Sequence, residues 1–466
     1  WISVQLFNTA RILRQEPAAG EIPPVKSLLR DTVGVAWPSI VESFLVALVG
    51  FIDTIMVSVL GSYAIAAVGL TQQPKFLGIA VFMAMSTAIS ALVARRRGEQ
   101  NRESAVRILR MCILVTLVLT AVVSAVCVAF ADPIIRFAGS AQDTHEAAVE
   151  YFQILMGGIV FTTVMLVINA AQRGAGNTKI AMRTNIVSNL VNIVFNYLLI
   201  GGNFGFPALG TRGAAIATVI GSVVGCGMSV GSMFSKQSFV YIRGIKGWIS
   251  SRFDIRSLLN VGSSAFVEQI FLRIGFLLFA ITVANLGTTQ YAAHQIGMNM
   301  MSLSFSFGDG LSVASVALVG RSLGQGRRDL AKLYASMCQR LGLLCAFVMS
   351  MVFLFFGRNL FALFSDEAEI LDIGVMIMRI LCFVIYMQIS QVVFFGCLRG
   401  AGDTKYTALA SLISVTCIRP GLSWLLCYPL GLGLLGVWMG LVGDQFTRFL
   451  LGYIRMKQGK WLKIKI

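Results

Sequence analysis

The sequence predicts an all-α integral membrane protein with twelve transmembrane helices in two pseudo-symmetric six-helix lobes. Three observations predict it. Hydrophobic residues make up 56% of the 466 and charged residues 13%, at a mean hydropathy of +0.79. No soluble domain combines that much apolar surface with so little charge. Apolar stretches long enough to cross ~30 Å of hydrocarbon recur along the whole chain. One block also recurs: Arg173-Gly174-Ala175-Gly176-Asn177-Thr178-Lys179 returns as Arg399-Gly400-Ala401-Gly402-Asp403-Thr404-Lys405, so positions 173 and 399 lie 226 apart. The same shift carries Leu60-Gly61 onto Leu286-Gly287, Ala66-Ala67 onto Ala292-Ala293, Gly98 onto Gly324, and Glu42 onto Glu268. A duplicated bundle with an intramembrane acid at equivalent places in each half is the pattern of a transporter.

Taken in order, the first half gives spans near 33–57, 64–94, 108–131, 150–172, 180–201 and 212–235. The second half gives 258–284, 290–320, 333–356, 370–397, 406–428 and 434–455. The stretch 64–94 is long enough that it must tilt, bend or project beyond the bilayer. Residues 1–32 carry no contiguous apolar core of a cleavable signal, and Glu21–Lys26 reads as an extended entry to the first span. The domains expected are therefore a cytoplasmic N-terminal segment (1–32), an N-lobe (33–235), a linker (236–257), a C-lobe (258–455) and a basic tail (456–466).

The net charge of +17 does not point to nucleic acid, because its distribution follows membrane topology. Basic residues cluster after the even-numbered spans: Arg95–Arg97 after the second, Arg173 and Lys179 after the fourth, Lys236–Arg256 after the sixth, Arg321–Lys332 after the eighth. The alternate loops are neutral or acidic, with Asp132, Asp143, Glu146, Asp366, Glu367 and Glu369. By the positive-inside rule both termini and the linker are cytoplasmic, in a multi-pass protein of the cell (inner or plasma) membrane. The two halves then share one orientation and relate by an axis along the membrane normal. The nine cysteines lie mostly in the spans without a CxxC pair and read as small packing residues. Two isolated histidines make no metal site, and no phosphate-binding glycine loop is present, so no cofactor and no direct ATP drive is expected. The partners expected are the lipid bilayer and small amphipathic cations, with the chain a monomer.

The recurring block reads as a tight hairpin turn between antiparallel helices. Its glycines supply the turn, its Thr caps the next helix, and its Arg and Lys sit among headgroups. With Ala292-Ala293-His294-Gln295-Ile296, Val319-Gly320-Arg321-Ser322-Leu323-Gly324-Gln325-Gly326 and Phe51-Ile52-Asp53-Thr54, the block makes residues 30–455 resemble the multidrug and toxic compound extrusion (MATE) family. The resemblance implies a twelve-span antiporter of two six-helix lobes that exports organic cations and other amphiphiles against Na⁺ or H⁺.

The intramembrane polar residues are the candidate site. Glu42 and Asp53 lie about three helical turns apart on one face of the first span. Asn185, Asn189, Asn192 and Asn196 step by 4, 3 and 4 down the fifth span as one polar stripe, serving either as interhelical glue or as the lining of an N-lobe cavity. The resemblance implies an acid four residues after Asn192; this chain has Asn196 there, and an amide cannot exchange a proton at neutral pH. The resemblance also implies that Glu268, in Val267-Glu268-Gln269, is the seventh-span glutamate used for cation coupling. Arg273 and Asp309 form a structural salt bridge in one reading; in the other Asp309 joins Glu268, Asp53 and Glu42 as a coupling candidate. Gln269, Phe44, Phe271, Met298, Met301 and Phe305 are candidate cavity residues, aromatic or methionine surfaces suited to varied ligands.

Three function readings follow: a secondary antiporter of amphipathic cations, a flippase of a lipid-linked precursor (or exporter of an endogenous metabolite), and a membrane enzyme. Glu42, Asp53, Glu268 and Asp309 against Arg273 and Arg419 make the intramembrane charge mostly acidic, which favours a cationic cargo over a lipid phosphate. An enzyme needs a nucleophile–base set or a metal cluster, and neither pattern occurs in the spans. Glu42 and Glu268 have different local neighbours, so the lobes should divide cation coupling from substrate binding. Neutralising each glutamate alone and then both should give different pH profiles of export; identical single-variant profiles would count against the division.

Overall fold

The structure is a computed structural model in which residues 12–13, 19–138, 140, 142–245, 247, 251–364 and 367–465 are described. The expected N-terminal segment and linker are thus described only in part. Lys246 and Asp366, and the side chains of Phe51, Thr54, Ala66, Asp143 and Ala292, lie outside the described residues.

Among the described residues the regular structure is helical, without strands. In the first half, α1 is Val25–Ser58, α2 Ser62–Gly98, α3 Arg102–Ala129, α4 Ala131–Phe137, α5 Gln142–Gly157, α6 Ile159–Gly174, α7 Thr178–Gly201 and α8 Gly210–Ser232. In the second, α9 is Arg252–Ala284, α10 Thr288–Gly324, α11 Arg328–Ala362, α12 Ala368–Ala401, α13 Thr404–Ser411, α14 Arg419–Cys427 and α15 Gly433–Gln458. Among the described residues ten spans are long and apolar enough to cross a membrane, and α5 with α6, bent by 48°, makes an eleventh. The twelfth is α15, which carries Asp444, Arg448, Arg455 and Lys457 along its length. The fold is therefore the expected one, twelve spans in two lobes, with two spans interrupted. The fourth breaks at Gly158, where a Cβ would lie 2.6 Å from Val219. The eleventh is α13 and α14 joined by a π-helical segment, Leu412–Ile418. There the Arg419 N–H donates five residues back, to the Ser414 carbonyl.

Large apolar side chains point outward along these helices. Leu344 is 59% exposed, Phe355 72% and Phe383 75%. Such a surface is stable only against lipid.

By backbone contacts the chain falls into two compact units. The first comprises the residues up to Ser43, Ala94–Glu99 and those from Leu259 onward; the second comprises Phe44–Val93 and Gln100–Leu258. The N-terminal part of α1 thus belongs to the first unit and its remainder to the second. Small residues bring the helices together in both, as expected where no hydrophobic drive separates helix from lipid. In the second unit a Cβ on Gly174 would lie 2.3 Å from the Ser90 carbonyl of α2, and one on Gly221 2.6 Å from the Ser188 carbonyl of α7. In the first unit a Cβ on Gly400 would lie 2.8 Å from the Val316 backbone of α10, and one on Gly440 2.0 Å from the Ser423 hydroxyl of α14. Gly174 with Ser90 and Gly400 with Val316 are the same contact, shifted by the repeat. A further close approach joins the repeat's own glycines, since a Cβ on Gly98 would lie 2.8 Å from the Gly324 Cα.

The repeated block folds as a turn, with Gly176 at φ 73° and Gly402 at φ 87°, where only glycine is unstrained. One detail differs from expectation. Asn177 and Asp403 occupy the cap positions, and Thr178 and Thr404 are the first helical residues. The core of the first unit gathers around Trp438, Phe353 and Phe361, and Trp461 and Leu462 of the tail are buried in it.

Gly324→Ala should destabilise the protein by about 1–3 kcal/mol through overpacking, because its Cβ would sit 2.1 Å from the Arg95 carbonyl. Gly421→Ala, whose Cβ meets nothing within 4 Å, should be neutral or slightly stabilising. Thermal unfolding of the detergent-solubilised variants measures both.

Candidate functional site

The first unit contains a cavity of about 320 Å³ walled by α9, α10, α12, the π segment's flanks and α15. Its apolar wall includes Phe276, Met298, Met301, Phe305 and Phe395, and its polar wall includes Glu268, Asp309, Arg399, Arg419 and Arg448. That size and this mixture suit a drug-sized amphiphile.

Glu268 is 2% exposed and its carboxylate is held by three donors. Arg399 Nη2 donates to Oε1 at 2.6 Å, Ser411 Oγ to Oε1 at 3.3 Å, and Thr407 Oγ1 to Oε2 at 2.9 Å. Arg399 is the first residue of the second repeat block. The sequence reading placed it among headgroups; its side chain instead reaches the acid. Asp403 of the same block accepts from Arg455 Nε at 2.7 Å, which ties the turn to α15. A buried carboxylate requires such partners, since unpaired it would cost several kcal/mol.

A second ionic group reaches the cavity wall through Arg419 and Arg448. Asp444, fully buried, accepts from Arg419 Nε at 3.0 Å and from Arg419 Nη2. It also accepts from Arg448 Nε at 3.0 Å and Nη2 at 2.9 Å. The Arg419 guanidinium lies over the Phe276 and Phe279 rings, 4.9 and 5.3 Å from their centroids. Asp309 accepts from Ser43 Oγ at 3.1 Å and faces the cavity, whereas Arg273 is not among the lining residues. Glu268, Asp309 and Asp444 are therefore matched by Arg399, Arg419 and Arg448. The acidic excess expected from the sequence does not hold in this cavity, because Arg399 and Arg448 line it as well as Arg419.

The second unit holds a smaller polar cluster. Asp53 accepts from Asn196 Nδ2 at 2.8 Å. With the Asn192 amide turned so that its nitrogen faces the carboxylate, Asn192 donates to the same oxygen at 3.0 Å, and its own oxygen accepts from Thr218. The stripe on α7 thus divides. Asn192 and Asn196 gather on Asp53, Asn185 donates to the Ala181 carbonyl of its own helix at 3.1 Å, and Asn189 is half-buried. Lys75 of α2, absent from the sequence reading, lies within electrostatic reach of Asp53.

The remaining candidates are scattered. Glu42 is buried in the first unit, while Phe44 is 40% exposed in the second. Gln269 and Phe271 are half-buried and Phe271 lines a separate, shallow groove with Lys405 and Leu412. Met298, Met301 and Phe305 do line the main cavity. His294 is packed among Phe279, Tyr291 and Trp438. Outside the spans, the hydrogen bond from His145 holds the Asp132 carboxyl below its usual range. Among the described residues no group of His, Cys, Asp and Glu could hold a metal ion. Arg448 was legible in principle, since Asp444 and Arg448 stand at i, i+4 on one helix face.

A duplicated twelve-span bundle with an ionic cavity inside its helices defines a membrane transporter. The family model MatE matches residues 38–198 and 264–425, two segments that start with the shift of the repeat, and the chain belongs to the MATE family. It is 30% identical over 447 residues to "Probable multidrug resistance protein NorM" of Thermotoga maritima, covering 95% of this chain and 94% of that protein. It is 25% identical over 431 residues to "Uncharacterized transporter YisQ" of Bacillus subtilis, covering 92% and 94%. Among solved structures it resembles a MATE crystallised in complex with MaD3S, at TM-score 0.85 and 21% identity over 97% of this chain and 99% of that one. It also resembles an outward-facing multidrug resistance MATE transporter of the MOP superfamily, at TM-score 0.84 and 22% identity over 95% and 100%.

Asp444→Asn should destabilise the protein by about 3–5 kcal/mol, because it strands two buried guanidinium groups without a counter-charge. Asp309→Asn should cost far less, since Asp309 has a hydroxyl partner and an open face to the cavity. The spacing of the two melting temperatures against wild type measures the difference.

Proposed function

We propose that the chain is a secondary antiporter that exports amphipathic organic compounds bearing a positive centre in exchange for H⁺ or Na⁺, by rocking of its two lobes. It acts as a monomer in the inner or plasma membrane with both termini cytoplasmic. The observation that carries this reading is Glu268: a buried carboxylate with an arginine and two hydroxyls, on the wall of a cavity that fits a drug-sized molecule. The names of its relatives, multidrug resistance proteins, support a varied cargo.

The chemistry follows from the contacts. Arg399 occupies Glu268 when no ion is bound. A proton on the carboxylate would remove the charge that holds Arg399. A sodium ion would instead use the carboxylate with the Thr407 and Ser411 hydroxyl oxygens, hard donors suited to a hard cation. Either event releases Arg399 and changes the charge of the cavity, which gives cargo and ion a common lever. Met298, Met301 and Phe305 supply an adaptable apolar wall, and Asp309 a charge for the positive centre. The matched charges of this wall favour this reading over a phosphate-binding flippase.

The purified protein in vesicles, under an imposed proton or sodium gradient, should export a lipophilic monocation better than an anion of similar size. Glu268→Gln, at normal protein levels, should reduce gradient-driven export at least about ten-fold, equivalent to ~1.4 kcal/mol of lost coupling. Intact export by this variant would remove Glu268 from the mechanism. The gradient that drives wild-type export identifies the ion.

A further inference from the structure

The C-terminal ends of α2 and α10 meet in a contact that follows the repeat. A Cβ on Gly98 would lie 2.9 Å from the Arg321 carbonyl carbon, and one on Gly324 3.0 Å from that of Arg95. The shift of 226 carries 95 onto 321 and 98 onto 324, so each helix offers its glycine to the other's arginine carbonyl. Glycine permits this approach without a side chain to hold it. Arg97 and Arg321 repel each other at the same junction. α2 also passes between units just here: Ala94–Glu99 belong to the first unit, whereas the helix up to Val93 belongs to the second.

The tail supplies a hold on the α2 end. Gly459, at φ 67°, turns the chain after α15, and Lys460–Lys463 form a single 3₁₀ turn. Trp461 and Leu462 are buried, and the Trp461 indole N–H donates to the Met456 carbonyl at 3.1 Å. The residues beyond are fixed by this anchor, and the Ile464 carbonyl accepts from Arg95 Nη2. Arg95 is 5% exposed. Its carbonyl abuts Gly324 while its guanidinium reaches Ile464, so one residue joins α2, α10 and the tail. A hydrogen bond from a guanidinium is stronger than one between neutral groups, and stronger still away from water.

We propose that residues 459–464 are a strap that holds the end of α2 against α10, and that its release accompanies each opening of the cytoplasmic side. The second clause rests on the antiport reading. Rocking has to part α2 from α10 there, because most of α2 belongs to the second unit. Arg95 is a positioning residue in this device and is not among the residues that line the cargo cavity. The strap keeps the form open to the cytoplasm in the minority, and its loss raises that population.

Hydrogen exchange read by mass spectrometry, on the purified full chain in detergent, reports on the strap directly. Arg95→Met keeps an apolar stem and removes the guanidinium. It should raise exchange about ten-fold in 459–464 as well as in 94–100. Trp461→Ala frees the tail at its anchor and should raise exchange in 94–100 by a similar factor, since coupling is reciprocal. Arg96→Gln removes the same charge one residue on and should leave 459–464 within about two-fold of wild type. A Trp461→Ala protein that loosens its tail while 94–100 exchange as in wild type overturns the strap. An Arg95→Met protein with a wild-type tail overturns it too, and decides the matter if Trp461→Ala does not fold. In inside-out vesicles Arg95→Met should lower the apparent KM for a lipophilic monocation about five-fold, by raising the fraction competent to load. Coupled exchange with an unchanged KM overturns the strap's part in export. Coupled exchange in a wild-type protein that exports nothing under either gradient supports the strap and overturns the antiport reading instead.

Discussion

Hydrocarbon solvates neither charge nor open backbone, and this constraint arranges most of what the chain does with its polar residues. The ion pairs within the first unit's spans are consequences of it. Glu268 gathers Arg399, Thr407 and Ser411 from α12 and α13, and Asp444 gathers Arg419 and Arg448 from α14 and α15. The bonds to Glu268 cross between helices far apart in sequence, and that from Arg419 joins α14 to α15, so they also set how these helices stand. Side chains such as Phe355 and Phe383 face outward for the complementary reason.

The duplication has kept geometry better than chemistry. The first glycine of each block still brings two helices into contact, Gly174 on Ser90 and Gly400 on Val316, and the second still takes a left-handed turn. What these scaffolds hold has diverged. The C-terminal block sends Arg399 to Glu268 and Asp403 to Arg455. The second unit instead gathers Asn192 and Asn196 on Asp53. An amide pair and an arginine make different neighbours for an acid, because only the arginine brings a charge that an arriving cation must displace.

The spans, the repeat and most of the acids were legible in the sequence because hydropathy and self-similarity are properties of contiguous residues. The pairing of Asp53 with Asn196 was partly legible, since the four asparagines repeat with the helix period and so must share a face. The partner of Glu268 was not. Arg399 stands 131 residues away, in a block whose composition reads equally well as a headgroup loop. Nothing local distinguishes an arginine that snorkels to the surface from one that turns inward. Lys75 was missed for a different reason, as a single charge within a long apolar stretch, which hydropathy averages away. The break at Gly158 had no proline to announce it, whereas Pro420, two residues after Leu412–Ile418, marks the other.

The π-helical segment gives the eleventh span a property that an ordinary helix lacks. Its seven residues, Leu412–Ile418, hold a surplus residue that the hydrogen-bond ladder absorbs as a wide turn. Before it stand Thr407 and Ser411, turned to Glu268; after it stands Arg419, turned to Asp444. Were the ladder to close into a regular α-helix by losing one residue, everything beyond would rotate by about 100°. Arg419 would leave its carboxylate while Ser411 kept its own. The wide turn acts as a shim that sets the phase between two ionic centres on one helix, and it makes the length of that span, residue for residue, part of the site.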